Sequence, residues 1–199
     1  SYAVKKGMRA VISTNGTLIT RDKAEELKHI GLSYVGVSLD GMEAVNDRFR
    51  KKKGAFREAL AGIKNCQEAG LKVGLRFTIN TMNVDEIPHI FDLLEENRIP
   101  RVCFYHLVYS GRGSALKDVD HDGTRRAIDK IFEKTAEWVD KGTPREVLTV
   151  DQPADGAYLY LRLLKEDPER AKEVYKTLAW NGGGANSSGV GISNIDTQG

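Results

Sequence analysis

The sequence predicts an α/β fold in which four βα units form part of a TIM-like barrel. Short apolar runs alternate with amphipathic helical stretches through the first half of the chain, which is typical of a parallel sheet. These runs are rich in Val, Ile, Leu, Phe and Tyr, which favours strands covered on both faces. Four parallel strands cannot close a barrel, so we expect a partial one.

Each predicted strand is followed by a helix. The strands are 8–13, 33–39, 72–79 and 101–108. Thr20 can cap the first helix and Gly31 can end it. Asn83, followed three residues later by Glu86, resembles a capping box at the start of the third helix. The apolar residues expected to face the core in these three helices are Ala24, Leu27, Ile30, Phe56, Ala59, Leu60, Ile63, Cys66, Ile87, Ile90, Phe91 and Leu94.

We divide the chain into a barrel region, 1–118, and a mostly helical, glycine-rich extension, 119–199, in which the pattern changes after a fifth helix. A helix over 124–140 would bury Ile128, Ile131, Phe132, Trp138 and Val139. A short apolar run follows at 146–150, and then a helical pattern at 157–178. Asp167–Pro168 makes that pattern either one kinked helix or two helices. A glycine-rich loop, 182–191, and a short apolar run, 192–195, come last.

Composition excludes several classes of partner. Thirty basic and 28 acidic residues leave a net charge of +2, so no global field favours nucleic acid or an anionic membrane. No apolar run approaches the roughly 20 residues that span a bilayer, and no signal peptide is visible, so we expect a cytoplasmic protein that acts on a small molecule. Cys66 and Cys103 are too far apart in sequence to form a CxxC site, and we assign no metal ligand in this chain.

Polar residues stand where the predicted strands end, which is where parallel α/β folds bind ligands. Ser13 and Asn15 end the first strand, and Ser38 and Asp40 end the second. Asn15–Gly16 and Asp40–Gly41 are also ordinary turn dipeptides, so a structural role is the alternative. Arg76 within the third strand needs an anionic partner, either a ligand or a structural ion pair.

The fourth strand leads into a segment that concentrates His106, Tyr109 and Arg112 among glycines. An Arg on a glycine-flanked loop suits a carboxylate or a phosphate. His106 could act in catalysis, and the alternative is a structural role in the core. The glycine-rich loop at 182–191 lacks the Gly-Lys-Ser/Thr ending of a phosphate-binding loop, so it is a weak sign of a nucleotide site.

Several of these motifs together resemble a known family. They are Ser13-Thr-Asn-Gly-Thr-Leu-Ile, Val35-Gly-Val-Ser-Leu-Asp-Gly, Asn46-Asp-Arg-Phe-Arg and Gly54-Ala-Phe. The chain is similar in these to radical S-adenosylmethionine (SAM) enzymes with a SPASM-type extension. Further segments resemble the haem-biosynthesis branch, whose members are NirJ-like and AhbC-like: Tyr109-Ser-Gly-Arg-Gly-Ser, Glu146-Val-Leu-Thr-Val-Asp, Asp155-Gly-Ala-Tyr-Leu-Tyr-Leu and Trp180-Asn-Gly-Gly.

The resemblance implies a partial (β/α)6 barrel that uses SAM and a 4Fe–4S cluster to remove acetate or propionate side chains from a sirohaem-derived tetrapyrrole. It implies that Ser13 and Asn15 lie beside SAM, and that Ser38 and Asp40 face its ribose. Arg76 would approach the methionine carboxylate, and the segment His106, Leu107, Val108 would pass near adenine. Tyr109 and Arg112 would contact the substrate's carboxylates.

The chain departs from the family pattern because it contains no CxxxCxxC loop and no GGEP-type strand. We therefore expect an internal or C-terminal fragment that is inactive by itself, since a cluster needs enough thiolates. An open edge on such a sheet should pair with another copy, so we expect a dimer. An electron donor would be a further partner. Two alternatives stay open: a peptide-modifying radical SAM/SPASM enzyme, and a non-catalytic scaffold that binds a tetrapyrrole.

Overall fold

The computed structural model describes residues 2–182. For residue 112, within that range, it describes the backbone alone. Its helices are α1 (Tyr2–Lys5), α2 (Arg21–His29), α3 (Glu43–Arg50), α4 (Ala55–Glu68), α5 (Ile87–Glu96), α6 (His121–Asp140), α7 (Ala154–Glu166) and α8 (Pro168–Trp180). Its strands are β1 (Val11–Thr14), β2 (Tyr34–Ser38), β3 (Val73–Thr78), β4 (Arg101–Tyr105) and β5 (Glu146–Val150). Short 3₁₀ turns occupy Val84–Glu86 and Gly111–Ala115.

The strands form one sheet in the order β1-β2-β3-β4-β5, and each pair from β1 to β4 is parallel. The predicted parallel α/β class is confirmed. The apolar run at 146–150 adds a fifth strand, and the Glu146 amide donates to the Pro100 carbonyl at 2.9 Å.

The chain separates into two compact units, Ser1–Thr149 and Val150–Gly199. Within the first unit α6 packs on α5. The division at residue 118 that the sequence suggests stays a prediction.

The two faces of the sheet differ in chemistry. One face carries buried apolar side chains and packs on α4: Val35, Val37, Leu39, Val73, Leu75, Phe77, Val102 and Phe104. On the opposite face, register and alternation place a second set that is largely polar: Val11, Ser13, Tyr34, Ser38, Arg76, Thr78, Arg101, Cys103 and Tyr105. We call this set the polar face. The strands are expected to be covered on both faces, but within residues 2–182 most residues of the polar face are at least partly exposed.

The helices largely follow the sequence pattern. The Thr20 hydroxyl accepts from the Lys23 amide as the predicted cap, and α6 is capped by Asp120. In α6 the expected Ile128, Ile131 and Trp138 are buried, whereas Val139 is 52% exposed, against expectation. Helix α3 has no counterpart in the sequence analysis.

The second unit contains two helices rather than one kinked helix. Asp167 ends α7, and its carboxylate accepts from the Arg170 amide at the start of α8. Tyr160 and Tyr175 pack ring to ring across the pair, with centroids 5.5 Å apart. None of the helices within residues 2–182 is long and apolar enough to cross a bilayer. The predicted segments 182–191 and 192–195 lie outside the described residues, apart from Gly182.

Candidate cofactor site on the polar face of the sheet

Ser13, Ser38 and Arg76 lie on the polar face, towards the carboxyl ends of neighbouring strands. Ser13 pairs in register with Gly36, and Ser38 pairs with Arg76. Ser13 is exposed, and the other two side chains are partly exposed. The structure thus brings together three of the residues that the sequence singles out, with their polar groups on one surface.

Arg76 lies flat across the polar face. A Cβ on Gly36 would meet its Cδ at 2.9 Å, so the absent side chain at residue 36 leaves the room for it. The guanidinium carbon lies 4.3 Å from the centre of the Tyr105 ring, a cation–π contact. No acidic side chain among residues 2–182 forms an ion pair with Arg76, so the structural ion pair that the sequence left open is not observed there.

Arg101, at the amino end of the same face, differs from Arg76 because it forms an ion pair. Its guanidinium lies 5.1 Å from the centre of the Tyr34 ring, and Glu146 pairs with it at 3.3 Å. The Tyr34 hydroxyl sits where a Cβ of Gly74 would be, and burial raises the pKa of Tyr34 to about 12. The cation at the amino end is therefore neutralised, and the cation at the carboxyl end is available to an anionic ligand.

Asp40 is buried at the end of β2 rather than open to a ligand. Its side chain is 3% exposed, and its carboxylate contacts the Arg50 guanidinium of α3. Burial raises the pKa of Asp40 more than Arg50 lowers it. The Asn46 side-chain oxygen also accepts from the Asp40 amide at 3.0 Å. A ribose would reach this carboxylate only after Arg50 moved.

Asn83 joins the ends of β2 and β3. Its amide nitrogen donates to the carbonyl oxygens of Asp40, at 3.1 Å, and Thr78, at 2.9 Å. Its side-chain oxygen accepts from the Asn80 amide at 2.9 Å. The capping-box interpretation is therefore wrong, because the Asn83 side chain makes no cap hydrogen bond and bridges two loops instead.

Glu86, like Asn83, links the segment after β3 to the loop after β2. Its carboxylate accepts from the Met42 amide at 2.6 Å, and it lies beside Gly41, where φ is 144°. Only glycine adopts that backbone readily. Together with the Asn83 bonds, this fixes the loop after β2 against the loop after β3.

Asn15 forms a local turn. Its side-chain oxygen accepts from the Thr17 amide at 3.2 Å and from the Thr17 hydroxyl at 3.1 Å. The side chain is exposed, so the turn leaves its amide nitrogen able to donate to a ligand. The structural and functional interpretations of Asn15–Gly16 are thus compatible.

The segment after β4 leaves the sheet gradually. His106 is half-buried and Leu107 is buried, whereas Val108 and Tyr109 are 51% and 62% exposed. Desolvation raises the pKa of Tyr109, and the neighbouring Asp118 raises it further. Arg112 belongs to the 3₁₀ turn Gly111–Ala115. Tyr109 therefore has the exposure that contact with a substrate requires.

The described residues do not fit an iron–sulfur cluster. Cys66 lies on α4 and Cys103 on β4, and both are buried and reduced. No group of three His, Cys, Asp or Glu side chains within residues 2–182 could hold a metal ion. The polar face does suit SAM, because Arg76 offers a cation that no acidic side chain of residues 2–182 pairs with, and Ser13 and Ser38 offer hydroxyls.

Sequence reasoning missed four residues of this region: Arg50, Asn83 as a bridge, Glu86 and Tyr105. The alternation within β3 and β4 was the available signal for Tyr105, since the register places Gly74, Arg76 and Thr78 on the same face of the sheet as Tyr105. Arg50 and Glu86 act across contacts between distant segments, which no local pattern indicates.

Comparison with known proteins identifies relatives. Residues 1–94 match the Radical SAM superfamily. The whole chain is 61% identical to Fe-coproporphyrin III synthase of Methanosarcina barkeri and 39% identical to pre-heme d1 synthase of Dinoroseobacter shibae. The chain spans about half the length of these curated relatives, 50% and 51%.

Solved structures share the fold at low sequence identity. SuiB of Streptococcus suis bound to its precursor peptide SuiA superposes with a TM-score of 0.64 at 18% identity, over 80% of this chain and 36% of SuiB. The enzyme anSMEcpe with bound AdoMet gives 0.61 at 14% identity, over 70% of this chain and 40% of that one. The predicted partial TIM-like barrel is thereby confirmed.

Proposed function

We propose that this chain, whose residues 1–94 match the Radical SAM superfamily, forms part of a haem-biosynthesis enzyme that uses SAM and a 4Fe–4S cluster. The observation that carries the proposal is the alignment of the complete chain with Fe-coproporphyrin III synthase and pre-heme d1 synthase. The likeness therefore extends beyond the barrel motifs into the second unit.

The substrate we propose is a sirohaem-derived tetrapyrrole that loses acetate or propionate side chains. Bound SAM and cluster would supply a 5′-deoxyadenosyl radical that abstracts hydrogen from it. Arg76 would hold the methionine carboxylate, since it is a cation without an ion-pair partner among the described residues. Tyr109 and Arg112 would bind the carboxylates of the tetrapyrrole.

The remaining site residues would position SAM. Ser13 and Asn15 would lie beside it and Ser38 would face its ribose, because all three offer hydrogen-bonding groups near the carboxyl ends of β1 and β2. Asp40 would act on the ribose only with a displaced Arg50. The segment His106, Leu107, Val108 would pass near adenine, and the exposed apolar side chain of Val108 suits contact with a base.

Two other functions compete with this one. Peptide modification is favoured by a 35% identity over 81 residues to the sporulation killing factor maturation protein SkfB of Bacillus subtilis. That match covers 41% of the chain, whereas Fe-coproporphyrin III synthase and pre-heme d1 synthase match all of it. A non-catalytic scaffold would bind a tetrapyrrole without cleaving SAM.

The deciding experiment is anaerobic reconstitution of the full-length protein with iron and sulfide, followed by SAM and dithionite. We expect 5′-deoxyadenosine, and more of it when sirohaem or didecarboxysirohaem is added. Stimulation by a peptide but not by tetrapyrroles would favour the peptide enzyme. Tetrapyrrole binding without cluster or 5′-deoxyadenosine would favour the scaffold.

A further inference from the structure

We infer that residues 47–64, which we call the basic turn, form the docking surface for an acidic one-electron carrier protein. The inference rests on the proposed function, because reductive cleavage of SAM consumes one electron from outside. The basic turn comprises the end of α3, the connection 51–54 and most of α4.

Positive charge is concentrated in the basic turn. It has seven basic residues and two acidic residues, a net charge of +5. The whole chain has a net charge of +2, so the remaining residues carry −3. A cationic surface on an otherwise slightly acidic chain attracts an acidic partner and orients its approach.

The charge is exposed and only partly neutralised. Lys52 pairs with Glu58, and Arg57 pairs with Glu43 at 2.8 Å. The other exposed cations form no ion pair with any residue of the described range: Arg48, Lys51, Lys53 and Lys64. These side chains are available to carboxylates of a second protein.

The structure also holds the basic turn in a defined conformation. The Asp47 carboxylate accepts from the Phe56 amide at 2.8 Å and from the Gly54 amide. Lys51 ends α3 in the left-handed region, with φ 53°. A connection fixed in this way presents its cations with a smaller loss of entropy on binding than a mobile loop does.

The basic turn lies next to the proposed cofactor site. Arg50 contacts the buried carboxylate of Asp40 at the carboxyl end of β2, and Lys51, Lys52 and Lys53 follow Arg50 directly. A carrier bound there would stand at the end of the sheet where SAM is expected. The carrier would be oxidised by one electron for each SAM cleaved.

A protein carrier suits this surface better than a polyanion does. Glu43, Asp47 and Glu58 are interspersed among the cations, so the surface has mixed charge rather than a continuous basic stripe. A net charge of +2 for the chain also provides little nonspecific attraction to nucleic acid.

The test uses charge reversal in the full-length protein with a purified acidic flavodoxin as the probe. The variant Arg48→Glu/Lys51→Glu/Lys53→Glu is compared with Lys23→Glu/Arg125→Glu/Lys130→Glu, which reverses three exposed cations outside the basic turn. The dissociation constant is measured at several salt concentrations, without SAM or cluster. We expect at least tenfold weaker binding for the first variant and less than a twofold change for the second.

A second readout separates docking from catalysis. With the cluster reconstituted, 5′-deoxyadenosine formation driven by dithionite should be unchanged in the basic-turn variant, while formation driven by reduced flavodoxin should fall at least tenfold. Equal losses in both variants, or a loss with dithionite, would overturn the inference. So would tight binding to duplex DNA or anionic vesicles with unaltered flavodoxin affinity. Absence of product from the wild type with dithionite would instead count against the proposed function.

Discussion

The Asn83 amide nitrogen donates at once to the Asp40 carbonyl, at 3.1 Å, and to the Thr78 carbonyl, at 2.9 Å. Asn83 is 1% exposed, so water does not compete for these bonds. One side chain thus sets the spacing between the ends of β2 and β3, the two strands that carry Ser38 and Arg76.

Replacing Asn83 by Ala should lower the free energy of unfolding by about 1–3 kcal/mol, because it leaves buried backbone groups without partners. Urea denaturation measures the change. Asn65→Ala is the matched control, since the Asn65 amide makes one half-buried bond, to the Ile19 carbonyl at 2.8 Å, and should cost about 0.5–1.5 kcal/mol. Equal losses would show that the bridge adds nothing to an ordinary hydrogen bond.

Replacing Arg76 by Leu should weaken SAM binding by the full-length protein about ten- to hundredfold, since hydrogen bonds to a charged group contribute about 1.5–3 kcal/mol. Arg101→Leu should change the affinity less than twofold, because Arg101 is paired with Glu146 at the amino end of the polar face. Equilibrium dialysis measures both. Unaltered affinity in the Arg76 variant would remove this residue from the site.

The Asp47 carboxylate, which binds the first amides of α4, makes the stability of the protein depend on pH. Hydrogen bonds from the Phe56 and Gly54 amides lower the pKa of Asp47, so its stabilising effect is present above the ordinary Asp value of 3.8 and is lost as the pH falls through the lower folded-state value. Asp47→Asn should lower the Tm at pH 6, and the difference from wild type should shrink below pH 3. Asp92→Asn, at an exposed position on α5, should show neither effect. A difference that is constant with pH would contradict this account.

The open edge of β1 predicts self-association. Among the described strands β1 is terminal in the sheet, and Val11 is 50% exposed on it. Light scattering should detect a dimer that Val11→Lys weakens, while Val108→Lys, at a residue 51% exposed beyond β4, leaves it intact. A wild-type monomer over a wide concentration range would refute the prediction.

Much of the fold could be predicted because its elements are local. The strands around Val37 and Phe104, the cap at Thr20 and the turn at Gly31 each follow from a few neighbouring residues. The start of α3 could not be found in this way: Met42 precedes it without a side-chain cap, and the helix is fixed by contacts with α4.

The candidate site was predictable in position but not in its connections. Ser38 ends β2 and Arg76 lies opposite it within β3, so the parallel register alone brings them together. Arg50 contacts Asp40, which lies 10 residues earlier in the chain, and Glu86 contacts Met42, which lies 44 residues earlier. Such contacts depend on the packed structure. The sequence therefore indicates candidate site residues without indicating which of them already bind another side chain.

Because the two faces of the sheet differ in chemistry, this protein should tolerate amino-acid substitutions on one face better than on the other. Alternate positions of one strand have different roles: Leu75 and Phe77 fill space in the packed core, whereas Arg76 between them lies on the polar face, where we propose that it binds a ligand. Substitutions along the polar face can therefore alter which molecule is recognised while the packed layer behind them stays intact. A library varied only at Ser38, Arg76 and Tyr105 should yield many folded proteins with divergent chemistry, and one varied at their immediate neighbours should yield few folded proteins at all.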